Sequence, residues 1–377
     1  MLPPELFDAI IEQARDDIAT LNSCSLVCRS WLAISRHLTF GQIVFGLRPE
    51  TVQGFLELIA SPYATILPYI HAVELLGNDS SRGYQLEWLD RIITVLANIP
   101  FLTALVLENI SWNELVSATR DTLIDAFQQI TRLDLRASDF GSVAHLFRLV
   151  ASKPRLRSLG CDNLGWTDPD PTETVIAPRM LNHLRLSGCY ERDILDWLLA
   201  QTSIPPISDL ELGAVRPEDT ASIGNFLRRL GPRLRTLQLE FWSLDPGGDA
   251  EDFCAHVDLS YNSSLHTIVL DKFIHYSTYR FSSAVGWIPQ LVSRAGGLKH
   301  IMLSISIRRI DELTPEDDPI DWPALDAVFC TLHRLYFRVW SSIELDQVTP
   351  VLTHQLPKCA MREGLLQFRS GFPKGEE

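Results

Sequence analysis

Ile130-Thr131-Arg132-Leu133-Asp134-Leu135 decides how this 377-residue chain reads, because its pattern, apolar-x-x-apolar-x-apolar, keeps returning. It recurs as Leu181-Asn182-His183-Leu184-Arg185-Leu186 and as Leu234-Arg235-Thr236-Leu237-Gln238-Leu239. Working outward, copies start at Ile70, Leu102, Ile130, Leu156, Leu181, Ile207, Leu234, Leu265, Leu298 and Leu332, 25 to 34 residues apart, with a degenerate earlier copy at Phe40, Ile43 and Phe45. The two-residue rhythm is that of a short strand with one buried face. Between copies the apolar spacing turns helical, as in Leu86–Ile93, Leu123–Phe127, Val143–Phe147 and Ile194–Leu198. Breakers at Pro100, Pro154 and Pro232 then precede the next strand. Strand, helix and strand again at this period predicts an α/β fold. The expectation is a curved solenoid with a parallel sheet on its concave face and helices outside.

Over residues 40 to 369 the pattern resembles the long-repeat leucine-rich-repeat class. About ten irregular repeats are expected within a body spanning 41–377. The position eight beyond each motif start favours Asn or Cys in that class, and here Asn78 and Cys189 comply. Ile110, Val215, Trp242, Phe273 and Trp340 do not. The asparagine ladder is therefore mostly missing, and the turns must satisfy their backbone groups in another way. Acidic, turn-rich loops interrupt the repeats near 166–173, 244–251 and 311–321; they are expected to be solvated, with the third able to guard one end of the binding surface.

On such strands the fixed aliphatics point inward, and motif positions three, five and seven face the concave side. That arithmetic gives Arg132, Asp134 and Arg136, then Asp162, then His183 and Arg185. Asp209 and Glu211, Gln238 and Glu240, and Asp271 follow, and Arg334, Tyr336 and Arg338 close the series. We read Arg132, Arg136, Asp162, Arg185, Asp209, Glu211, Glu240, Asp271, Tyr336 and Arg338 as a cargo-binding face. The basic part of a protein segment would meet its acidic middle.

Composition narrows the function. A net charge of −14 argues against nucleic acid as the partner. Hydrophobic content of 46% with 21% charged residues describes a folded chain. The start lacks the basic-then-apolar pattern of a signal peptide, and no run approaches a membrane span, so a soluble protein of cytoplasm and/or nucleus is expected. The 7 cysteines are scattered without framework spacing. Cys24 and Cys28, four apart, could be half of a zinc site, but no second ligand pair follows at the required spacing. No phosphate loop, dinucleotide turn, His-Glu-x-x-His helix or nucleophile elbow is present. Asp168-Pro-Asp170 lacks the glycine and distal glutamate of a calcium loop. No cofactor, no metal and no catalysis are expected.

The first forty residues follow another pattern. Pro3 and Pro4 suit a helix start, and Leu6, Ile10 and Ile11 share one helical face. Leu21, Cys24, Leu26, Val27 and Cys28 form a second stretch, and Trp31 opens a third. Three short helices make a core small enough to need a partner or an attached domain. Leu2-Pro3-Pro4-Glu5-Leu6, Ile10-Ile11, Leu21 and Val27-Cys28-Arg29-Ser30-Trp31 together resemble the F-box family. Cys24-Ser-Leu-Val-Cys-Arg-Ser-Trp31 matches its fungal branch letter for letter. Ala14 departs, standing where that family commonly has a larger aliphatic residue. The resemblance implies a three-helix F-box over 1–40 that docks on the Skp adaptor of cullin–RING ligases. It implies adaptor contacts from Leu2, Pro3, Ile10, Leu21, Val27, Cys28 and Trp31. The function implied is substrate recognition within an SCF-type ubiquitin ligase, the protein cargo held by the repeats; the alternative is a repeat scaffold that does not direct degradation.

Overall fold

The computed structural model describes residues 4–46, 49–77, 87–168, 175–241, 249–275, 287–314 and 320–371. The chain forms two compact units, Met1–Leu181 and Asn182–Glu377. In the first, α1 (Pro4–Glu12), α2 (Ile18–Ser25) and α3 (Arg29–Phe40) lead into β1 (Gln42–Phe45). There follow α4 (Pro49–Ala60), β2 (Ala72–Leu76), α5 (Glu87–Leu96), β3 (Ala104–Glu108), α6 (Ser117–Asp125), β4 (Arg132–Arg136), α7 (Val143–Ala151) and β5 (Ser158–Asp162). The second unit begins with β6 (His183–Ser187), α8 (Glu191–Leu199), β7 (Asp209–Val215), α9 (Pro217–Leu230), β8 (Thr236–Phe241) and α10 (Asp249–His256). It continues with β9 (Thr267–His275), α11 (Trp287–Arg294), β10 (His300–Ser306), α12 (Trp322–Phe329), β11 (Arg334–Trp340), α13 (Leu345–Gln355), α14 (Pro357–Ala360) and β12 (Leu366–Ser370).

Within each unit the strands pair in sequence order, every one parallel to the next. Parallel neighbours need a crossover, and the intervening helices supply it on one side of the sheet. This is the α/β repeat architecture that the motif predicts. The twelve strands among the described residues exceed the ten motif starts by β1, the degenerate copy at Phe40, and by β12. In β12 the pairing of Leu366 with Leu335 puts exposed Glu363 where the other motifs begin with an aliphatic.

The buried row explains the register. Leu184, Leu210, Leu237, Ile268, Ile301 and Leu335 lie opposite one another on successive strands, and all are buried. Leu186, Leu212, Leu239, Leu270, Leu303 and Phe337 form the second row. A slip of one residue would turn both rows to the open side. In six of the repeats the chain passes through the left-handed region at the same motif position, at or near the strand end, at Asn109, Ala137, Asn163, Gly188, Ala214 and Lys272, with φ between 45° and 59°. For Ala137, Ala214 and Lys272 this costs roughly 1–2 kcal/mol each.

Where helix gives way to the next strand, side chains reach back one repeat to the carbonyl end of the preceding helix. Lys153 Nζ, wholly buried, donates to the Leu123, Ile124 and Ala126 carbonyls at 2.6, 2.7 and 2.8 Å. Burial pulls its amine down to about 7, with Asp125 opposing. Three acceptors engage all three protons of an ammonium, so the charged form is the one that fits this cap. Asn262 Nδ2 donates to the Leu227 and Gly231 carbonyls at 2.8 and 2.9 Å. Arg294 serves the Cys254 and Val257 carbonyls, and Arg362 those of Cys330 and Leu332. A cation there also suits the helix dipole.

Candidate interaction surfaces

From α1 to α3, among the described residues, only Ile11 and Leu21 are buried apolar side chains, while Leu6, Ile10, Ile18, Leu26 and Val27 are 48 to 87% exposed. The helices are short, and a core this small cannot take in more. Phe7 packs on half-buried Trp31 with ring centroids 5.7 Å apart, which ties α1 to α3. Of the sequence-derived adaptor residues, Ile10, Val27 and Cys28 are exposed, Trp31 is shared between surface and core, and Leu21 is closed inside. The burial of Leu21 follows from its place on the inner face of α2 and makes it a support for the apolar surface, not part of it. Leu2 and Pro3 lie outside the described residues. Cys28 precedes α3, and its thiol sits 3.1 Å from Ser30 Oγ. That hydrogen bond, then the Trp31 amide, holds the thiol below its ordinary range.

The open side of the first unit is a charge-paired face. Arg132 grips buried Asp134 through Nη2 and Nε at 2.7 and 2.8 Å. Arg136 lies 3.4 Å from Glu74 and 3.5 Å from Glu108, so one guanidinium spans three strands. Asp162 ends β5 in register with Arg136.

In the second unit Arg185 stands in register with Glu211, which also lies 3.4 Å from His183 Nε2. Asp209 accepts from the Ser208 hydroxyl at 2.6 Å, and Glu240 pairs with Lys272. Asp271 accepts from the Gln238 amide at 2.5 Å. Burial first, then Glu240, pushes its carboxyl above the usual range, with Arg338 and Ser304 opposing. Glu240, Asp271, Lys272, His275, Ser304 and Trp340 belong to the lining of a cleft of about 520 Å³. Trp340 donates its indole N–H to Ser304 Oγ at 3.2 Å, and Gly371 lies so close beneath its ring that a Cβ there would sit 2.3 Å from Cδ2. At the far edge Tyr336 accepts from Arg334 at 3.1 Å, and the Arg369 guanidinium lies 5.5 Å from its ring centre. Arg338 lies between Ser304 and Arg369 in register.

The acidic middle read from the sequence is thus partly neutralised by its own neighbours. Gln238, Lys272, Ser304 and Trp340 join the face through the strand rows; Gln238 and Ser304 hold motif positions five and seven, while Lys272 and Trp340 fall outside the counted positions. Among the described residues no three His, Cys, Asp or Glu side chains gather in a way that could hold a metal ion. Nor is any described helix long and apolar enough to cross a membrane.

No protein-family model matches the chain, and no curated protein matches it. Among solved structures it is similar to the leucine-rich-repeat-containing protein LegL7 of Legionella pneumophila at 16% identity, covering 76% of this chain and 87% of that one with a TM-score of 0.40. A protein of Bacteroides fragilis is similar at 12% identity, covering 86% of this chain and 73% of that one with a TM-score of 0.24. With similarities this low, the repeat architecture rests on this chain's own strands, rows and crossovers.

Proposed function

We propose that residues 1–40 act as an F-box that docks on the Skp adaptor of a cullin–RING ubiquitin ligase, and that the repeats from 41 onward hold a protein cargo. A parallel repeat sheet with one face left uncovered by helices is an interaction scaffold. The observation that carries the finer reading is the reversed burial in α1–α3. Five large apolar side chains face outward on three short helices and the turn between the second and third, which is what a segment completed by a hydrophobic partner displays. Leu26 and Val27, within the Cys24–Trp31 match, are the most exposed of these with Ile18, at 87% and 61%. Cargo would contact the sheet faces through Arg132, Arg136, Asp162, Arg185, Asp209, Glu211, Glu240, Asp271, Tyr336 and Arg338. On this reading the chain selects substrate and leaves ubiquitin transfer to the other subunits.

Co-purification with the Skp adaptor and cullin tests the proposal, run beside Leu26→Asp/Val27→Asp. Both side chains are exposed, so the variant is expected to stay folded and to lose capture. Failure of the unaltered chain to capture the adaptor would overturn the ligase reading, and capture of adaptor without cullin would turn it into a scaffold role.

A further inference from the structure

We infer that the leading edge of the sheet in the second unit docks an acidic peptide segment of a partner protein. Arg235, His266, Lys299 and His333 occupy the same place, the residue immediately before β8, β9, β10 and β11. Backbone bonds link them in a line. The His266 amide donates to the Arg235 carbonyl at 3.0 Å, Lys299 to His266 at 3.0 Å, and His333 to Lys299 at 2.9 Å. In the next row His300 and Arg334 are direct partners. Six basic residues therefore sit on four adjacent strands whose spacing is about 4.8 Å. Arg235, Lys299, His333 and Arg334 are exposed, and His266 and His300 half-exposed.

This concentration occurs in a chain of net charge −14. Elsewhere several of the sheet's cations are matched, Arg132 with Asp134, Arg136 with Glu74 and Glu108, and Lys272 with Glu240. Here, among the described residues, no carboxylate lies within ion-pair distance of any of the six. The permanent charges of Lys299 and Arg334 stand on neighbouring strands and oppose one another, so an incoming anion relieves the row. His300 registers this. Burial, then the charges of Arg334, His266, His333 and Lys299, hold its imidazole below the ordinary range. Its buried Nδ1 has no hydrogen-bond partner among the described residues.

The row spans roughly 15 Å, matched by four to five extended residues at about 3.3 Å each. A peptide of that length with closely spaced carboxylates fits; a nucleic acid would extend past the row onto a surface that repels phosphate. The inference rests on the sheet being a docking surface, but it is independent of adaptor capture.

Fluorescence anisotropy on the full chain would use a labelled glutamate decapeptide, an arginine decapeptide, a neutral glycine-serine decapeptide and a ten-nucleotide uridine strand. The glutamate peptide is expected to bind best, and added salt to weaken it. Lys299→Gln/Arg334→Gln should weaken it at least tenfold at low salt. Arg229→Gln/Lys358→Gln, which removes the same charge from the helical side, should leave it unchanged. Preference for the arginine peptide would leave a docking surface but overturn its acidic specificity. Preference for uridine would reassign the row to nucleic acid. Equal loss in the two variants, or no binding above the neutral peptide, would overturn the inference. Melting curves of both variants exclude misfolding as the cause.

Discussion

Between Leu6 and Val27 five large apolar side chains are exposed and two are buried, whereas along β6–β11 every aliphatic of the fourth and sixth motif positions is buried. The repeats also close their own polar ends, through Lys153, Asn262, Arg294 and Arg362. The N-terminal helices have almost no such self-sufficiency. Repeats bury a core by stacking on one another, so each added turn completes the last. Among the described residues three short helices have no such neighbour on their outer side, and on the proposed reading a partner supplies it. The comparison teaches that the incompleteness is local and sits where the F-box resemblance places the adaptor.

The largest expected effect lies in the repeats. Lys153→Met leaves three helix-end carbonyls unsatisfied and should cost roughly 3 kcal/mol or more, read as a lower denaturant midpoint. A change below about 0.5 kcal/mol, the scale of an ordinary surface substitution, would show that water replaces the cap without loss.

Leu21→Ala should cost about 2–5 kcal/mol, but only within α1–α3. Helix loss over residues 4–40 with an unchanged main unfolding transition is the expected result. Val27→Asp, by contrast, should shift neither. Equal destabilisation by both would erase the distinction between core and docking face.

A smaller effect concerns Glu191, buried at the start of α8 beside Asp219 of α9. Neither of its carboxylate oxygens meets a hydrogen-bond donor among the described residues. Burial first, then the Asp219 charge, pushes its carboxyl up to about 8. The folded chain then holds a proton that the unfolded chain releases near its ordinary value of 4.5. Stability contributed by that group falls as pH rises from there through about 8. Glu191→Gln should therefore melt about 2–4 °C above the unaltered chain at pH 8.5 and converge with it near pH 5. Parallel curves across that range would contradict the assignment.

The smallest test is chemical. Cys28 is exposed with its thiol held below the ordinary range, whereas Cys254 and Cys359 are buried, the former pushed up to about 12 and the latter also raised. Iodoacetamide should label Cys28 and spare the other two, and bound adaptor should slow that labelling. Undiminished labelling in the complex would move the contact off this end of the helices.

The repeat was legible because its strand rows use aliphatics almost throughout, and a period of buried leucines survives irregular spacing. Strand β12 escaped because Glu363 breaks the first motif position, although Leu366 and Phe368 keep the fourth and sixth. The left-handed turns were hidden because Ala137, Ala214 and Lys272 adopt a conformation that their residue types do not announce. The caps were hidden for a similar reason, since lysine, asparagine and arginine perform one task from nearby but shifting positions. The charge-paired state of Glu240 and Arg136 needed the spatial rows. The basic edge could have been found, because Arg235, His266, Lys299 and His333 share the second motif position; counting only positions three, five and seven reached Arg334 and passed over these four.

Amide hydrogen exchange on the full chain, alone and with purified Skp adaptor, tests the central claim most directly. The amides of residues 4–40 should exchange quickly in the chain alone and become protected when adaptor is added, while those of β6–β11 stay slow throughout. Helices α1–α3 that are already as protected as the repeats, and unchanged by adaptor, would contradict the account.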